Sequence, residues 1–268
     1  MKIVDSHCHL DLIEKNGHDI DQIVQNAKDN KVEILQTIST KISEIDKILG
    51  YTKKYDNVFA SVGNHPCNVK DEGVVTAQEI IKICQENPKI IGIGETGLDY
   101  FHDKSNIDQQ KESFYEHIKA AQEIQLPLII HSRDCDDDMI KILKTEQEKK
   151  RFPALLHCFS SSKKLAEVAV ELGIYISFSG IVTFKNAKIV QEVALETPEN
   201  LILVETDSPY LAPTPHRGKE NQPSYTRHTV EFVANLRNAD PEKFANKTTE
   251  NFFELFSSCH IESISHVT

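Results

Sequence analysis

The sequence predicts an α/β protein with a single (β/α)8 TIM barrel, and three observations favour this fold. Eight short runs rich in Ile, Val and Leu alternate with longer segments whose apolar residues recur at three- and four-residue spacing. The short runs are almost continuously apolar, as parallel strands are when both of their faces are buried. The length of 268 residues suits one such barrel.

The predicted strands are separated by segments that mostly leave room for a helix. A doubly wound open sheet is the alternative architecture. The barrel is favoured because a Gly-rich phosphate loop, common after the first strand of such a sheet, does not follow residues 3–7. The predicted strands are residues 3–7, 32–39, 58–65, 90–96, 127–132, 154–160, 174–180 and 201–207.

The segments between the strands show the amphipathic pattern of helices that pack one face against a core. No Pro- or Gly-rich linker divides the chain, so we expect one domain over residues 1–256 and a C-terminal tail over residues 257–268. The predicted helices include residues 19–30, 79–87, 108–124, 136–149, 163–172, 186–196, 225–237 and 241–256.

Composition argues against several classes of protein. Charged residues make up 26% of the chain and no run of 18 apolar residues occurs, which disfavours disorder and a membrane span. The chain begins without a signal-peptide pattern and its six cysteines form no C-x-x-C pair, so we expect a cytoplasmic protein without disulfides. The net charge of −11 disfavours gripping long stretches of nucleic-acid backbone, and no obligate protein partner is evident.

Side chains that can bind metal ions lie at or near the C-terminal ends of most of the predicted strands. In a barrel these ends meet at one face, where active sites are built. Residues two apart in a strand share a side, so His7 and His9 offer one ion two nitrogen ligands while Cys8 faces the helices. The strand-end residues are His7, His9, His65, Glu95, His131, His157 and Asp207.

Two of these residues are carboxylates that end apolar runs. A buried carboxylate without a partner is strongly disfavoured, so Glu95 requires a cation: Arg133, a lysine, or two metal ions that it bridges. We expect Asp207 to bind metal and accept a proton, and Glu205 to orient a histidine or a water molecule. Imidazole and carboxylate ligands suit Zn²⁺ or Mn²⁺ better than Mg²⁺.

Residues 211–225, LAPTPHRGKENQPSY, follow the last predicted strand and therefore border the same face. A solvated surface loop is the ordinary interpretation of such a run. Arg and Lys beside a metal site also suit phosphate oxygens. The candidate substrate-binding residues are His65, Arg133, Arg217, Lys219 and Asn221.

Seven motifs resemble, in order and spacing, those of the TatD family of metal-dependent deoxyribonucleases, which belongs to the wider amidohydrolase-like barrels. The motifs are SHCHLD, GNHPCN, GETGLDY, HSR, HCFS, ETDSPYLAP and PHRGKENQP, and the resemblance covers residues 3–256. Two positions depart from the family pattern and bear on substrate fit: Asn64 replaces an aliphatic residue and Ser161 replaces a Gly.

The resemblance implies two divalent metal ions, with Mg²⁺, Mn²⁺ and Zn²⁺ as candidates, and hydrolysis of DNA, often as a 3′ exonuclease. Asp207, His65 and Glu205 are then the expected catalytic residues, and DNA ends or short oligonucleotides the expected substrates. The implied ligands are His7, His9 and Asp207 for one ion, His131 and His157 for the other, and Glu95 between them.

Two other functions fit the same motifs. The metal pair could activate water against a carbonyl carbon, as in an ester or amide hydrolase or an enzyme that deacylates aminoacyl-tRNA. A non-catalytic metal-storing barrel is disfavoured because the ligand set is complete. The chain has no Trp, and no aromatic series of the kind that binds long single strands is evident.

Overall fold

The computed structural model describes residues 2–259, which form one sheet of eight parallel strands in chain order. The sheet closes where the main-chain N–H of Asp207 donates to the carbonyl of His7 at 2.9 Å and that of His9 donates to Ser208 at 2.8 Å. The barrel prediction is therefore confirmed, and the open-sheet alternative is wrong. The strands are β1 (Ile3–Cys8), β2 (Val32–Thr37), β3 (Val58–Val62), β4 (Ile90–Asp99), β5 (Leu128–Arg133), β6 (Ala154–Leu156), β7 (Tyr175–Phe178) and β8 (Ile202–Val204).

The helices surround the barrel, and local signals mark several of their ends. Asp19 and Ser162 accept hydrogen bonds from main-chain N–H groups in the first turns of α2 and α8, as helix N-caps do. No helix within residues 2–259 is long and apolar enough to cross a membrane. The helices are α1 (Leu10–Lys15), α2 (Ile20–Asp29), α3 (Ile45–Lys54), α4 (Val69–Glu72), α5 (Ala77–Glu86), α6 (Ile107–Ile124), α7 (Asp136–Lys149), α8 (Lys163–Leu172), α9 (Lys188–Glu196), α10 (Thr226–Leu236) and α11 (Pro241–Leu255).

The core has two apolar layers, which separate because neighbouring strand residues point to opposite sides of the sheet. Ile3 packs between the strands and the helices, whereas Val4 packs inside the barrel. Phe252 and Phe256 from the end of the chain join the inner layer. The inner layer also takes one residue from each strand: Val4, Ile34, Phe59, Ile91, Ile129, Leu155, Tyr175 and Leu203.

The C-terminal residues continue this packing beyond α11. Cys259 is 6% exposed and lies in the inner apolar layer, although the sequence predicts a tail from residue 257. Residues 260–268 of that predicted tail lie outside the described residues. The domain boundary after residue 256 stays a prediction. All six cysteines are free thiols.

Two glycines let the centre of β4 approach β5 closely. Gly94 and Gly97 have φ angles of 137° and 142°, which L side chains rarely adopt. A Cβ on Gly94 would lie 2.6 Å from the carbonyl oxygen of Ile129, and a Cβ on Gly97 would overlap that of His131. The two glycines of the GETG sequence are therefore required by the backbone conformation of β4, in addition to any role of the Glu95 side chain.

We predict that Gly97→Ala lowers the free energy of unfolding by about 2–4 kcal/mol, because the methyl group adds overlap to an unfavourable φ angle. Urea unfolding at a fixed metal concentration measures the change. Gly50→Ala in α3 is the matched control, since a Cβ there has no neighbour within 4 Å and Ala favours a helix by about 1 kcal/mol. Equal midpoints for the two variants would contradict the prediction.

Candidate metal centre

Glu95 lies at the centre of a histidine cluster at the C-terminal end of the barrel and is 3% exposed. Its Oε1 atom is 2.7 Å from His157 Nε2 and 2.9 Å from His131 Nδ1. Its Oε2 atom is 3.4 Å from His7 Nε2 and 3.9 Å from His9 Nε2. The barrel thus brings together strand-end residues that are far apart in sequence.

The donor atoms form two groups, one beside each oxygen of Glu95. In the first, His9 Nε2 is 3.3 Å from both His7 Nε2 and Asp207 Oδ1, and His7 Nε2 is 3.6 Å from Asp207 Oδ1. In the second, His131 Nδ1 and His157 Nε2 are 3.4 Å apart.

These spacings allow a direct test of whether metal ions fit. Ligand atoms about 2.1 Å from a shared ion lie roughly 3.0–3.4 Å from one another. Both groups approach that spacing, with nitrogen and carboxylate oxygen as donors, so the residues fit a pair of divalent ions. The assignment of His7, His9, Glu95, His131, His157 and Asp207 as ligands remains a prediction.

The cation required by Glu95 is not Arg133. Within residues 2–259, the ion-pair partners of Glu95 are all histidines. The Arg133 guanidinium instead lies over the ring of Phe101, 4.9 Å from its centroid. The predicted alternative of a salt bridge between Glu95 and Arg133 is therefore wrong.

The carboxylates and imidazoles of the cluster perturb one another's protonation. Burial alone would raise the pKa of Glu95, but the charges and hydrogen bonds of the surrounding histidines hold it well below its usual value. Burial would likewise lower the pKa of His9, but the hydrogen bond and charge of Asp207 raise it to about 9. Metal binding at neutral pH should therefore displace a proton from His9.

Two further carboxylates contact the outer nitrogens of the cluster. Asp99 Oδ2 is 3.0 Å from His131 Nε2, and Glu205 Oε1 is 3.3 Å from His157 Nδ1. Carboxylates in this position fix the ring orientation and the tautomer of a metal-binding histidine. This contact fits the predicted role of Glu205 in orienting a histidine.

Asp99 is absent from the residues predicted from the sequence, because the predicted strand ends at residue 96 whereas β4 continues to Asp99. The signal was present, since Asp99 stands an even number of residues after Glu95 in the GETGLDY motif. The main-chain N–H groups of Phe101 and His102 donate to its Oδ1 at 3.0 and 2.8 Å. Asp99 is thus held in place independently of His131.

Asp5 is a second buried carboxylate that is absent from the residues predicted from the sequence. It accepts hydrogen bonds from the main-chain N–H of Thr206 at 2.8 Å and from the Thr206 hydroxyl at 2.6 Å. Burial raises the pKa of Asp5 to about 8 despite these bonds. The contact ties β1, which carries His7, to the segment that carries Asp207.

Four site residues lie just beyond strand ends rather than within the strands predicted for them. β3 ends at Val62, before His65. β6 ends at Leu156, before His157, and β8 ends at Val204, before Glu205 and Asp207. Asp207 has a φ angle of 56°, which breaks the extended backbone. Left-handed backbone at a non-glycine residue is unfavourable and often occurs at functional sites.

His65 faces the cluster but differs from its other histidines. Its Nδ1 accepts the main-chain N–H of Cys67 at 3.1 Å, so a neutral ring carries its hydrogen on Nε2, 3.5 Å from Glu95 Oε1. Burial lowers the pKa of His65 to about 3 and keeps the ring neutral. This tautomer suits a hydrogen-bond donor to an anion better than a metal ligand.

The loop that carries His65 is held by a buried histidine of α6. The main-chain N–H of Asn64 donates to His117 Nε2 at 3.1 Å, while His117 Nδ1 lies 2.7 Å from the carbonyl oxygen of Ser113. The Asn64 amide donates to the carbonyl of Gly73 at 3.1 Å. The Asn64 side chain therefore has a structural role in this loop.

The candidate substrate-binding residues after β8 have different surroundings. Arg217 is exposed and its guanidinium lies 3.8 Å from the centroid of Phe184, and Lys219 is exposed. Asn221 is buried, and its amide donates to the carbonyls of Thr206 at 2.9 Å and Tyr210 at 2.6 Å. Asn221 therefore braces the loop, and substrate contact by these residues stays a prediction.

The chain is similar to known proteins over nearly its whole length. A sequence model of the family described as "TatD related DNase" matches residues 4–257. The chain is 43% identical to an uncharacterized metal-dependent hydrolase of Buchnera aphidicola, over 96% of this chain and 97% of that protein. It is 39% identical to the uncharacterized metal-dependent hydrolase YabD of Bacillus subtilis, over 95% and 98% of the respective chains.

The fold is similar to a solved structure of the same kind. The crystal structure of YjjV, a TatD homologue from Escherichia coli, superposes with a TM-score of 0.88 at 27% sequence identity. The superposition covers 95% of this chain and 98% of that one.

We predict that Asp99→Asn weakens metal binding about 10- to 100-fold, because the neutral amide makes His131 a poorer ligand. Competition with a chromophoric chelator measures the affinity. Asp103→Asn is the matched control, since the carboxylate of Asp103 is partly exposed and accepts hydrogen bonds from Ser105 rather than from a histidine of the cluster. Equal affinity in the Asp99 variant and the wild type would contradict the role of Asp99.

The free energy of unfolding should depend on pH through the buried ring of His117. Burial lowers the pKa of His117 to about 4, below the value of about 6.5 for an unfolded chain, so the unfolded state takes up a proton there first as pH falls. Wild-type protein should therefore lose about 2 kcal/mol between about pH 7 and pH 5 that His117→Gln does not lose. Urea unfolding of both proteins measures the difference, and parallel pH curves would contradict it.

Proposed function

The chain belongs to the TatD family of metal-dependent hydrolases, and from this membership we propose that it hydrolyses DNA phosphodiester bonds at strand ends or in short oligonucleotides, with two divalent metal ions. The supporting observation is the placement of donor atoms on both sides of Glu95. Each oxygen of this carboxylate faces its own group of histidines. The proposed ligands are His7, His9 and Asp207 on one side and His131 and His157 on the other, with Glu95 between them.

Divalent ions bound there would lower the pKa of a water molecule and stabilise charge on the attacking and leaving oxygens. Burial would raise the pKa of Asp207, but the hydrogen bond from His9 and the charges of nearby histidines lower it. The carboxylate of Asp207 is therefore ionised at neutral pH. It orients the attacking water by accepting its hydrogen bond, and it takes up the proton that the water loses.

The other residues hold the substrate or the catalytic groups. His65 donates from Nε2 to a non-bridging phosphate oxygen, and Glu205 keeps His157 in the orientation that directs Nε2 toward Glu95. Arg133, Arg217 and Lys219 add positive charge at the rim. Local charge of this kind is necessary because the chain as a whole carries −11.

We predict that Asp207→Asn lowers kcat about 100- to 10,000-fold while the protein stays folded, because the water loses its proton acceptor. Metal content is measured in the same samples, since Asp207 is also a proposed ligand. Asp137→Asn, on the outer helix α7, is the control of equal charge. A near-wild-type rate in an Asp207→Asn protein that retains its metal would refute the proposed role.

The choice of substrate needs its own test. Metal-depleted protein is reconstituted with Mg²⁺, Mn²⁺ or Zn²⁺ and assayed on end-labelled single- and double-stranded DNA, on RNA and on an aminoacyl-tRNA ester. Release of nucleotides from DNA supports the proposal. Release of the acyl group without cleavage of DNA would overturn it in favour of an ester hydrolase.

A further inference from the structure

Five large apolar or aromatic side chains within residues 2–259 are strongly exposed, and two of them lie at the mouth of the barrel. Phe101 is 58% exposed and follows the end of β4, and Tyr210 is 55% exposed and lies on the loop after β8. The other three, Tyr115, Ile189 and Leu195, belong to the surrounding helices α6 and α9. Exposed aromatic rings at a catalytic face often mark a binding surface.

The order of the strands places the loops that carry these two rings on opposite sides of the barrel mouth. β4 and β8 are four positions apart in a ring of eight strands. A chain laid across the mouth from one loop to the other would therefore pass over Glu95, which lies among histidines from both halves of the ring.

Both rings belong to loops whose main chain is hydrogen-bonded to site residues. The main-chain N–H of Phe101 donates to Asp99 Oδ1 at 3.0 Å, and that of Tyr210 donates to the Asp207 carbonyl at 3.0 Å. These bonds hold the backbone of each loop, so little backbone freedom is lost when a ligand binds to the rings.

Charge cannot supply general affinity for DNA in a chain of net charge −11, so another interaction must hold the parts of the substrate beyond the phosphate. Stacking of bases on aromatic rings does so without net charge and with little dependence on sequence. Two rings suit a few nucleotides rather than a long strand.

We propose that the nucleobases on the two sides of the cleaved phosphodiester stack on Phe101 and Tyr210, one on each ring. This inference rests on the proposed hydrolysis of DNA and names the part of the substrate that the rim recognises. The guanidinium of Arg133 lies over one face of Phe101, so the base would stack on the other face.

The test combines variants of the enzyme with substrates that lack one base. Phe101→Ala and Tyr210→Ala are assayed on a short single-stranded deoxyoligonucleotide and on versions with a tetrahydrofuran abasic residue on either side of the cleaved bond. Each variant should raise KM on the complete substrate about 5- to 150-fold, with little change in kcat. The increase should disappear on the substrate that lacks the base facing the deleted ring.

Two controls separate stacking from other effects. Tyr115→Ala, which removes an exposed ring from α6, should leave KM unchanged. Tyr210→Phe keeps the ring and should restore KM to near the wild-type value. Urea midpoints verify that all variants are folded.

An equal increase in KM on complete and abasic substrates, or no increase, would overturn stacking while leaving DNA hydrolysis intact. Failure of the wild-type, metal-loaded enzyme to cleave any oligonucleotide would overturn both proposals. Hydrolysis of methyl p-nitrophenyl phosphate, a diester without a base, shows in that case whether the centre can still attack phosphorus.

Discussion

The structure depends on keeping one carboxylate charged inside a protein. Glu95 is almost completely buried, and an isolated buried charge is strongly unfavourable. Four histidines place ring nitrogens within 3.5 Å of its two oxygens and hold its pKa well below the usual value. Because these histidines are spread along the chain, compensation of this single charge requires the strand ends to meet.

Outer carboxylates extend this compensation away from the centre. Asp99 and Glu205 contact the far nitrogens of His131 and His157, so each of these rings lies between two carboxylates. Asp5 ties the segment after β8 to β1, where the barrel closes. The arrangement favours cations at the centre and sets ring orientation before any ligand binds. Such preorganisation is what a metal-dependent hydrolase requires.

Much of the fold could be predicted because its signals are local. Each strand corresponds to a short apolar run in the sequence. All eight predicted strands occur, and their observed ends differ from the predicted ends by a few residues. The predicted helices do not include α3, because Gly50 in its centre weakens the helical signal. β6 and β8 end two and three residues before the left-handed residues Cys158 and Asp207, and nothing in the local apolar pattern specifies that backbone.

The sequence alone determined the barrel and most of the histidines and carboxylates at its mouth, because periodicity and motif order are properties of neighbouring residues. The tertiary structure decided which atoms face one another: that Asp99 supports His131, that Asn221 braces a loop, and that Arg133 lies over Phe101 rather than beside Glu95. These contacts join residues from different strands and loops. They depend on distances across the barrel, which no local pattern encodes.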